Sequence, residues 1–259
     1  MKISPVNIQN TYFKSKHRDT RKADDLMRKT NLAFPMFNPS YAYYFYDSID
    51  INKPQNYPQR EKFELGICRN FIKNVRKPSD FMEDFQTPFD IPHSYLLGLL
   101  KDKKMGNCKE AAITVLCALY ANGYHNSQKI SLGYDYKIVD KKTKEVLLKG
   151  EVDIDHSAVL TDLNIPERSS NLNKTIIIDP WLEYTGTVSE ANGKYKMQFG
   201  KFIDIKMKEI MMLNNINPED CIIETSIFYS FGKKHSKEEA KRIGNFVKTK
   251  YPELVYEII

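Results

Sequence analysis

The chain has 259 residues, of which 41% are hydrophobic and 28% are charged, with only 11 glycines and 12 prolines. This composition is ordinary for a globular protein and excludes a low-complexity or linker-dominated chain. The net charge of +6 is the difference between 39 basic and 33 acidic residues that are well mixed. Without a basic stripe, a zinc-finger spacing or a ribonucleoprotein motif, this charge does not predict binding to nucleic acid.

The sequence also bears on where the protein works and what it holds. The first residues lack the apolar run of a signal peptide, and no stretch approaches the length of a membrane span. We therefore expect a monomer that is cytoplasmic or exported without a cleavable signal. The absence of any Cys-x-x-Cys pair favours free thiols over a zinc ribbon or a disulfide framework. The four cysteines are Cys68, Cys108, Cys117 and Cys221.

The chain divides into a leader and one domain. Residues 1–38 are polar and basic, and we expect a flexible leader with a short helix near Arg21–Arg28. Residues 39–259 are expected to form a single α+β domain. Aromatic residues and prolines crowd the stretch 34–57, which we interpret as a covering that packs onto that domain.

Helical spacing dominates the first half of the domain. Apolar residues recur at helix spacing over 58–78, and an irregular, proline-punctuated stretch follows over 79–92. A short helix is expected over Ser94–Lys101. A longer one is expected over Cys108–Asn122, where Gly123 supplies the left-handed residue that ends many helices.

The rest of the chain is predicted to contain a hairpin, two further strands, a helix, a strand and a last helix. Their expected bounds are Lys129–Val139 with Glu145–Asp153, then His156–Leu163, Thr175–Ile178, Phe202–Leu213, Cys221–Phe231 and Ser236–Tyr251. Ser236 and Glu239 form a capping box at the start of the last helix. Helices, then an antiparallel sheet, then further helices define the α+β class.

Cys108 is the first candidate for chemistry. It follows Gly106 and Asn107 at the expected start of a helix. A thiol is most nucleophilic as the thiolate, and a helix N-terminus favours that negative charge. The Cys108 amide at the helix start is also placed to stabilise an oxyanion. Taken alone, a free cysteine is more often a small buried hydrophobe, which is how we interpret Cys117 in the middle of the same helix.

His156 is the second candidate, at the predicted start of an apolar strand. A strand holds an imidazole in one rotamer, as a catalytic base requires. The alternative is a surface histidine at a strand end that pairs with Asp155. Both interpretations fit the local sequence.

Asp179 is the third candidate, at the end of a strand of β-branched residues. A carboxylate in this position can accept the imidazole N–H and hold the ring in one tautomer. Trp181, two residues on, is a candidate to cover the site and exclude water. The alternative is an Asp-Pro turn that closes a strand. We favour the catalytic interpretation because His156 and Asp179 fall on consecutive strands that we expect to be neighbours.

The three contexts in this order resemble the papain-like and transglutaminase-like thiol enzymes, and most of all their bacterial effector branch of protein-glutamine deamidases and cysteine proteases. The resemblance covers about residues 95–190. It is carried by Gly106-Asn107-Cys108, Asp155-His156-Ser157-Ala158-Val159 and Ile178-Asp179-Pro180-Trp181. It implies a nucleophile-bearing helix packed on an antiparallel sheet, a Cys108–His156–Asp179 triad, a covalent thioester and a protein or peptide substrate. No metal or organic cofactor is required. Arylamine N-acetyltransferases share the order of the three residues, but Pro180-Trp181-Leu182 stands where they have Gly-Phe-Gly.

One departure from the papain pattern concerns the oxyanion hole. Papain-like proteases carry a glutamine shortly before the nucleophile, where this chain has Lys101-Asp102-Lys103-Lys104. Asn107 and Gln86 are the candidates for the missing donor. The departure weakens a peptidase assignment more than it weakens the triad.

Two other functions remain open from the sequence. The first is a catalytically inactive member of the same fold that binds a partner protein through the aromatic stretch 34–57. The second takes Cys108, His156 and Asp179 as metal ligands, which is a poor match because no fourth ligand is evident.

Overall fold

A computed structural model of the chain describes residues 18–35, 96–98, 100–102, 106, 108–161, 175–232 and 234–256, without the side chains of residues 18, 19 and 155. The helices are α1 Arg18–Ala33, α2 Cys108–Ala121, α3 Val188–Leu213 and α4 Lys237–Lys250. The strands are β1 Ser127–Asp140, β2 Val146–Thr161, β3 Ile176–Asp179, β4 Tyr184–Thr187 and β5 Cys221–Phe231. Short 3₁₀ turns span Pro218–Asp220 and Pro252–Leu254. None of the helices in these ranges combines the length and the apolar character that a membrane crossing requires.

The strands form one antiparallel sheet in the order β4-β3-β2-β1-β5. Its centre is the long β1–β2 hairpin, whose turn is closed by Asp140, which accepts hydrogen bonds from the backbone N–H groups of Lys142 and Thr143. The two amides also lower the pKa of the Asp140 carboxyl. The predicted α+β class, with helices on an antiparallel sheet, is confirmed.

Helices cover both faces of the sheet. On one face α2 packs with α1 and α4 around a core that includes Val159 and Ile178. On the other face α3 covers a second core that includes Ala158 and Ile177. Because side chains alternate along a strand, neighbouring residues of β2 and β3 enter opposite cores. Asp179, which follows Ile178, therefore lies on the α3 side of the sheet.

The predicted short helix near Arg21–Arg28 lies within α1, but the flexible character expected of the leader is wrong for the residues that the structure describes. Helix α1 buries a stripe at Ala23, Leu26, Met27 and Thr30, which is helical spacing. The helix packs in the core of the domain with α2. The first 17 residues lie outside the described ranges. So do the predicted helix over 58–78, the irregular stretch 79–92 and all but the first two residues of the aromatic stretch 34–57.

The two predicted strands Glu145–Asp153 and His156–Leu163 are one strand, β2. The pairing with β1 shifts by two residues within it, from Leu132 opposite His156 to Gly133 opposite Asp153. This irregularity breaks the period-two pattern without ending the strand. His156 therefore lies in the middle of a strand and does not open one.

Other boundaries are confirmed. The strand over Cys221–Phe231 and the capping box of Ser236 with Glu239 are as predicted, and Gly123 has the expected positive φ of 89° after α2.

The predicted helix Phe202–Leu213 is only the second half of α3, which begins at Val188.

Helix α4 approaches α2 so closely that Gly244 has no room for a side chain. A Cβ at this position would lie 2.3 Å from the carbonyl oxygen of Tyr120. We expect Gly244→Ala to lower the free energy of unfolding by about 1–3 kcal/mol because the two helix backbones must separate. The matched control is Gly200→Ala in α3, where a Cβ meets nothing within 4 Å. This substitution should raise the free energy of unfolding by about 0.5–1 kcal/mol. Urea unfolding of both variants measures the difference, and equal effects would contradict this account.

Candidate active site

Cys108 is the first residue of α2 and is 2% exposed. Every other residue of this helix except Lys109 is also buried, so the helix is held rigidly between its neighbours and the sheet. Gly106, two residues earlier, is buried as well. The thiol thus lies at the positive end of a fixed helix dipole.

His156 and Asp179 form a buried pair on neighbouring strands. The distance from His156 Nε2 to Asp179 Oδ2 is 2.6 Å, and both side chains are fully buried. The other carboxylate oxygen, Oδ1, accepts the backbone N–H of Leu182 at 3.0 Å. Since both oxygens are engaged, the carboxylate has one orientation. Its contact with Nε2 fixes the imidazole ring so that Nδ1 points away from Asp179.

The irregular pairing in β2 contributes to this placement. Two residues of β2, 154 and 155, have no partner on β1 and immediately precede His156. The shift places His156 opposite Leu132. Because it spans an even number of residues it keeps the face, so His156 lies on the α3 side with Ile154 and Ala158, where Asp179 also lies.

The protonation of His156 is set by opposing effects. Burial of the ring by itself lowers its pKa. The charge of Asp179 and its hydrogen bond act against burial, as do a side-chain hydrogen bond with Cys108 and the charge of that sulfur, and together they raise the pKa to about 10. At neutral pH the ring is therefore an imidazolium.

Besides Asp179, Cys108 is the group that raises the pKa of His156. The second ring nitrogen, Nδ1, is buried and makes no hydrogen bond of full geometry with any group in the described ranges. Nε2 is already engaged by Asp179. Cys108 thus raises the pKa of His156 without a hydrogen bond of full geometry to Nδ1, and such bonds are often poorly aligned in sites without substrate.

Aromatic side chains enclose the imidazole. The ring centroids of Phe199, Trp181 and Tyr195 lie 5.1, 5.2 and 5.9 Å from that of His156. Trp181 and Phe199 stack nearly parallel with an interplanar angle of 9°. Trp181 therefore lies against the histidine, and Phe199 and Tyr195 contact the ring from α3.

Tyr195 also faces the carboxylate. Burial raises the pKa of its hydroxyl well above the usual value, and the charge of Asp179 acts in the same direction. The phenol therefore stays protonated beside the carboxylate. Sequence reasoning missed Tyr195 and Phe199. The signal was present as a capping box of Thr187 with Glu190 ahead of an apolar stripe.

The remaining predicted site residues fall into two groups. Asn107 and Gln86, the candidate oxyanion donors, lie outside the described residues, as does Cys68. Cys117 and Cys221 are buried free thiols in the two cores. Burial raises the pKa of Cys117 to about 12, which makes it an inert counterpart of Cys108 in the same helix.

The described residues contain no group of three or more histidine, cysteine, aspartate or glutamate side chains arranged to hold a metal ion. No protein-family model, no curated protein and no solved structure matches the chain. The interpretation of the site therefore depends on its geometry.

Proposed function

We propose that the protein is a cysteine-dependent hydrolase or acyl-transfer enzyme of papain-like or transglutaminase-like fold, with a Cys108–His156–Asp179 triad that acts on a carboxamide. The observation that carries this proposal is the buried 2.6 Å contact between His156 and Asp179, with the Cys108 sulfur as the other group that acts on the ring. The order nucleophile, base and orienting carboxylate is that of a catalytic triad. In this proposal the domain is catalytic.

The proposed reaction begins with His156 holding the proton of the thiol. The Cys108 sulfur attacks the carbonyl carbon, a C–S bond forms, and the C=O electron pair moves to oxygen. The backbone N–H of Cys108 at the helix start donates to this oxyanion, together with a second donor for which Asn107 and Gln86 are the candidates. As the intermediate collapses, the C–N bond breaks and the imidazolium gives its proton to the leaving nitrogen.

The second half of the reaction releases the acyl group. His156 takes a proton from water, the resulting hydroxide attacks the thioester carbon, and the C–S bond breaks to leave a carboxylic acid. An amine in place of water would give transamidation. The leaving group decides the outcome: ammonia from a glutamine side chain is deamidation, and an amine from a backbone amide is proteolysis.

Burial of the triad implies that the substrate reaches it through an opening movement. Both Asp179 and His156 are fully buried, and the stacked pair of Trp181 and Phe199 lies against the imidazole. A closed site strengthens the electrostatic interactions inside it. Such a site suits a glutamine side chain or an extended loop of a protein substrate, which can enter a narrow opening.

Selective alkylation tests the proposal without a known substrate. We expect iodoacetamide to modify Cys108 of the native protein at least tenfold faster than Cys117, because the imidazolium and the helix N-terminus favour the thiolate. His156→Gln should remove that advantage. Peptide mapping by mass spectrometry after timed quenching gives the rates, and equally slow reaction of both thiols would overturn the proposal.

The burial of the site also favours a second function, a protein-binding module in which the triad is no longer used. Equally slow alkylation of Cys108 and Cys117 would support this second function. Metal analysis of the purified protein separately checks the metal-site interpretation, which predicts a stoichiometric ion that chelators remove.

A further inference from the structure

Among the described residues, β5 is an edge strand of the sheet. It pairs with β1 through eleven consecutive residues without a register shift. In an antiparallel strand the backbone N–H and C=O groups alternate between its two sides. Half of the backbone groups of β5 therefore point away from β1, as a template for another strand.

The strand carries almost none of the features that protect natural sheet edges. Exposed edges usually have lysines, prolines or bulges, or are very short, as the opposite edge strand β4 is with its four residues. Strand β5 has eleven residues, no lysine and no proline, and Glu224 is its one charge. Ile222, Ile223 and Phe231 on it are 41%, 40% and 53% exposed.

Charges of opposite sign flank the strand. The exposed acidic residues Glu219 and Asp220 come directly before it, and the exposed Lys234 follows it. In an antiparallel pair of two such strands, the acidic start of one lies beside the basic end of the other. A parallel pair would instead place like charges together.

The register of such a pair follows from the strand itself. A two-fold axis at Ser226, the middle residue, engages all eleven residues of both copies. It places Asp220 opposite Gly232 of the second copy and Glu224 opposite Phe228. An axis at Glu224 would place two glutamates directly opposite each other, which is destabilising.

We propose that the protein forms a symmetric homodimer in which β5 of each copy pairs antiparallel around Ser226 to give a continuous ten-stranded sheet. An isologous interface of this kind closes on itself, and the four-residue strands β4 become the two outer edges of the joined sheet. The two flanking charge clusters set the strand direction, and the aliphatic and aromatic side chains contribute the buried area. This proposal differs from the monomer expected from the sequence, and it is independent of the proposed enzymatic activity.

Disulfide trapping tests the interface and its register. Residues opposite each other in an antiparallel pair have Cα atoms about 4.5–5.5 Å apart, within disulfide range. We expect Ser226→Cys to form a covalent dimer under mild oxidation with oxidised glutathione. The matched control is Ser230→Cys, exposed on the same strand, whose copies would lie about 27 Å apart because they are eight residues out of register. Non-reducing electrophoresis and intact mass should show cross-linking above the wild-type background only for Ser226→Cys.

Hydrodynamic size tests the same interface without a new thiol. The wild-type chain should sediment as a dimer, and Ser226→Lys, which sets two lysines against each other, should sediment as a folded monomer. High salt should weaken the dimer because it screens the flanking charges. Three results would each overturn the proposal: a wild-type monomer at every concentration, a dimer that survives Ser226→Lys, or equal cross-linking of the two cysteine variants.

Discussion

Replacing Cys108 by alanine is expected to leave the fold intact and to lower the rate of amide hydrolysis by about 10⁶-fold, the loss typical when the nucleophile of a triad is removed. The side chain is small and lies at the first position of α2, so its sulfur adds little to packing. The residual rate would come from binding and from oxyanion stabilisation alone. Release of ammonia from casein measures deamidation, and intact mass of the same substrate measures proteolysis.

The matched control for this variant is Cys117→Ala in the same helix. Cys117 is fully buried in the core between α2 and its neighbours, so its loss should cost about 1 kcal/mol of stability and leave the rate unchanged. A Cys108→Ala protein that is folded and fully active would remove the triad from the mechanism. Loss of activity in both variants would indicate a disturbed helix and not a missing nucleophile.

The sequence predicts strand β3, which carries Asp179, better than strand β2, which carries His156. Asp179 ends β3 as expected, because a run of β-branched residues followed by proline is a strong local signal. The prediction that His156 begins a strand is wrong, because β2 extends toward its N-terminus through two residues that have no partner on β1. Only pairing with β1 across the hairpin keeps β2 continuous through that irregularity, and the local sequence of β2 does not show this pairing.

Helix α3 shows a different limit of local reasoning. Its first half contains Gly193 and Gly200, residues of low helix propensity, and its buried side chains recur every four residues. The helix forms there because Tyr195 and Phe199 are buried against the sheet, and tertiary packing overrides propensity. These two residues enclose His156, so the error in the helix start concealed two members of the site.

The length and the burial of helix α1 were missed for a related reason, although a short helix near Arg21–Arg28 is predicted. Its sequence is rich in charge, and the ion pairs of Arg28 with Asp24 and of Lys29 with Asp25 are of the i,i+4 type that supports a helix. These charges are what makes the sequence of residues 1–38 typical of a flexible leader. The apolar stripe to which Leu26 and Met27 belong contains few residues, but it determines which face of α1 packs in the core.

The Asp179→Asn variant is expected to lower the hydrolytic rate by about 10⁴-fold and also to change how stability depends on pH. An amide cannot stabilise the imidazolium, and it can hold the ring in the wrong tautomer. In the wild-type protein the folded-state pKa of His156 is about 10, above the ordinary 6.5. A raised folded-state pKa stabilises the native state fully below the unfolded value, and this contribution is lost as pH rises through the folded value.

The wild-type free energy of unfolding should therefore fall between pH 6.5 and about 10, by up to about 1.4 kcal/mol per pH unit. In Asp179→Asn the ring is neutral in the folded state across this range, so the slope should be much smaller. Urea unfolding at a series of pH values measures both slopes, and Asp153→Asn, at an exposed position of β2, controls for the loss of one carboxylate. Equal slopes in the wild type and in Asp179→Asn would mean that the histidine does not carry the proton. The attack step would then have to begin with a neutral imidazole that removes the proton from the Cys108 thiol as the substrate binds.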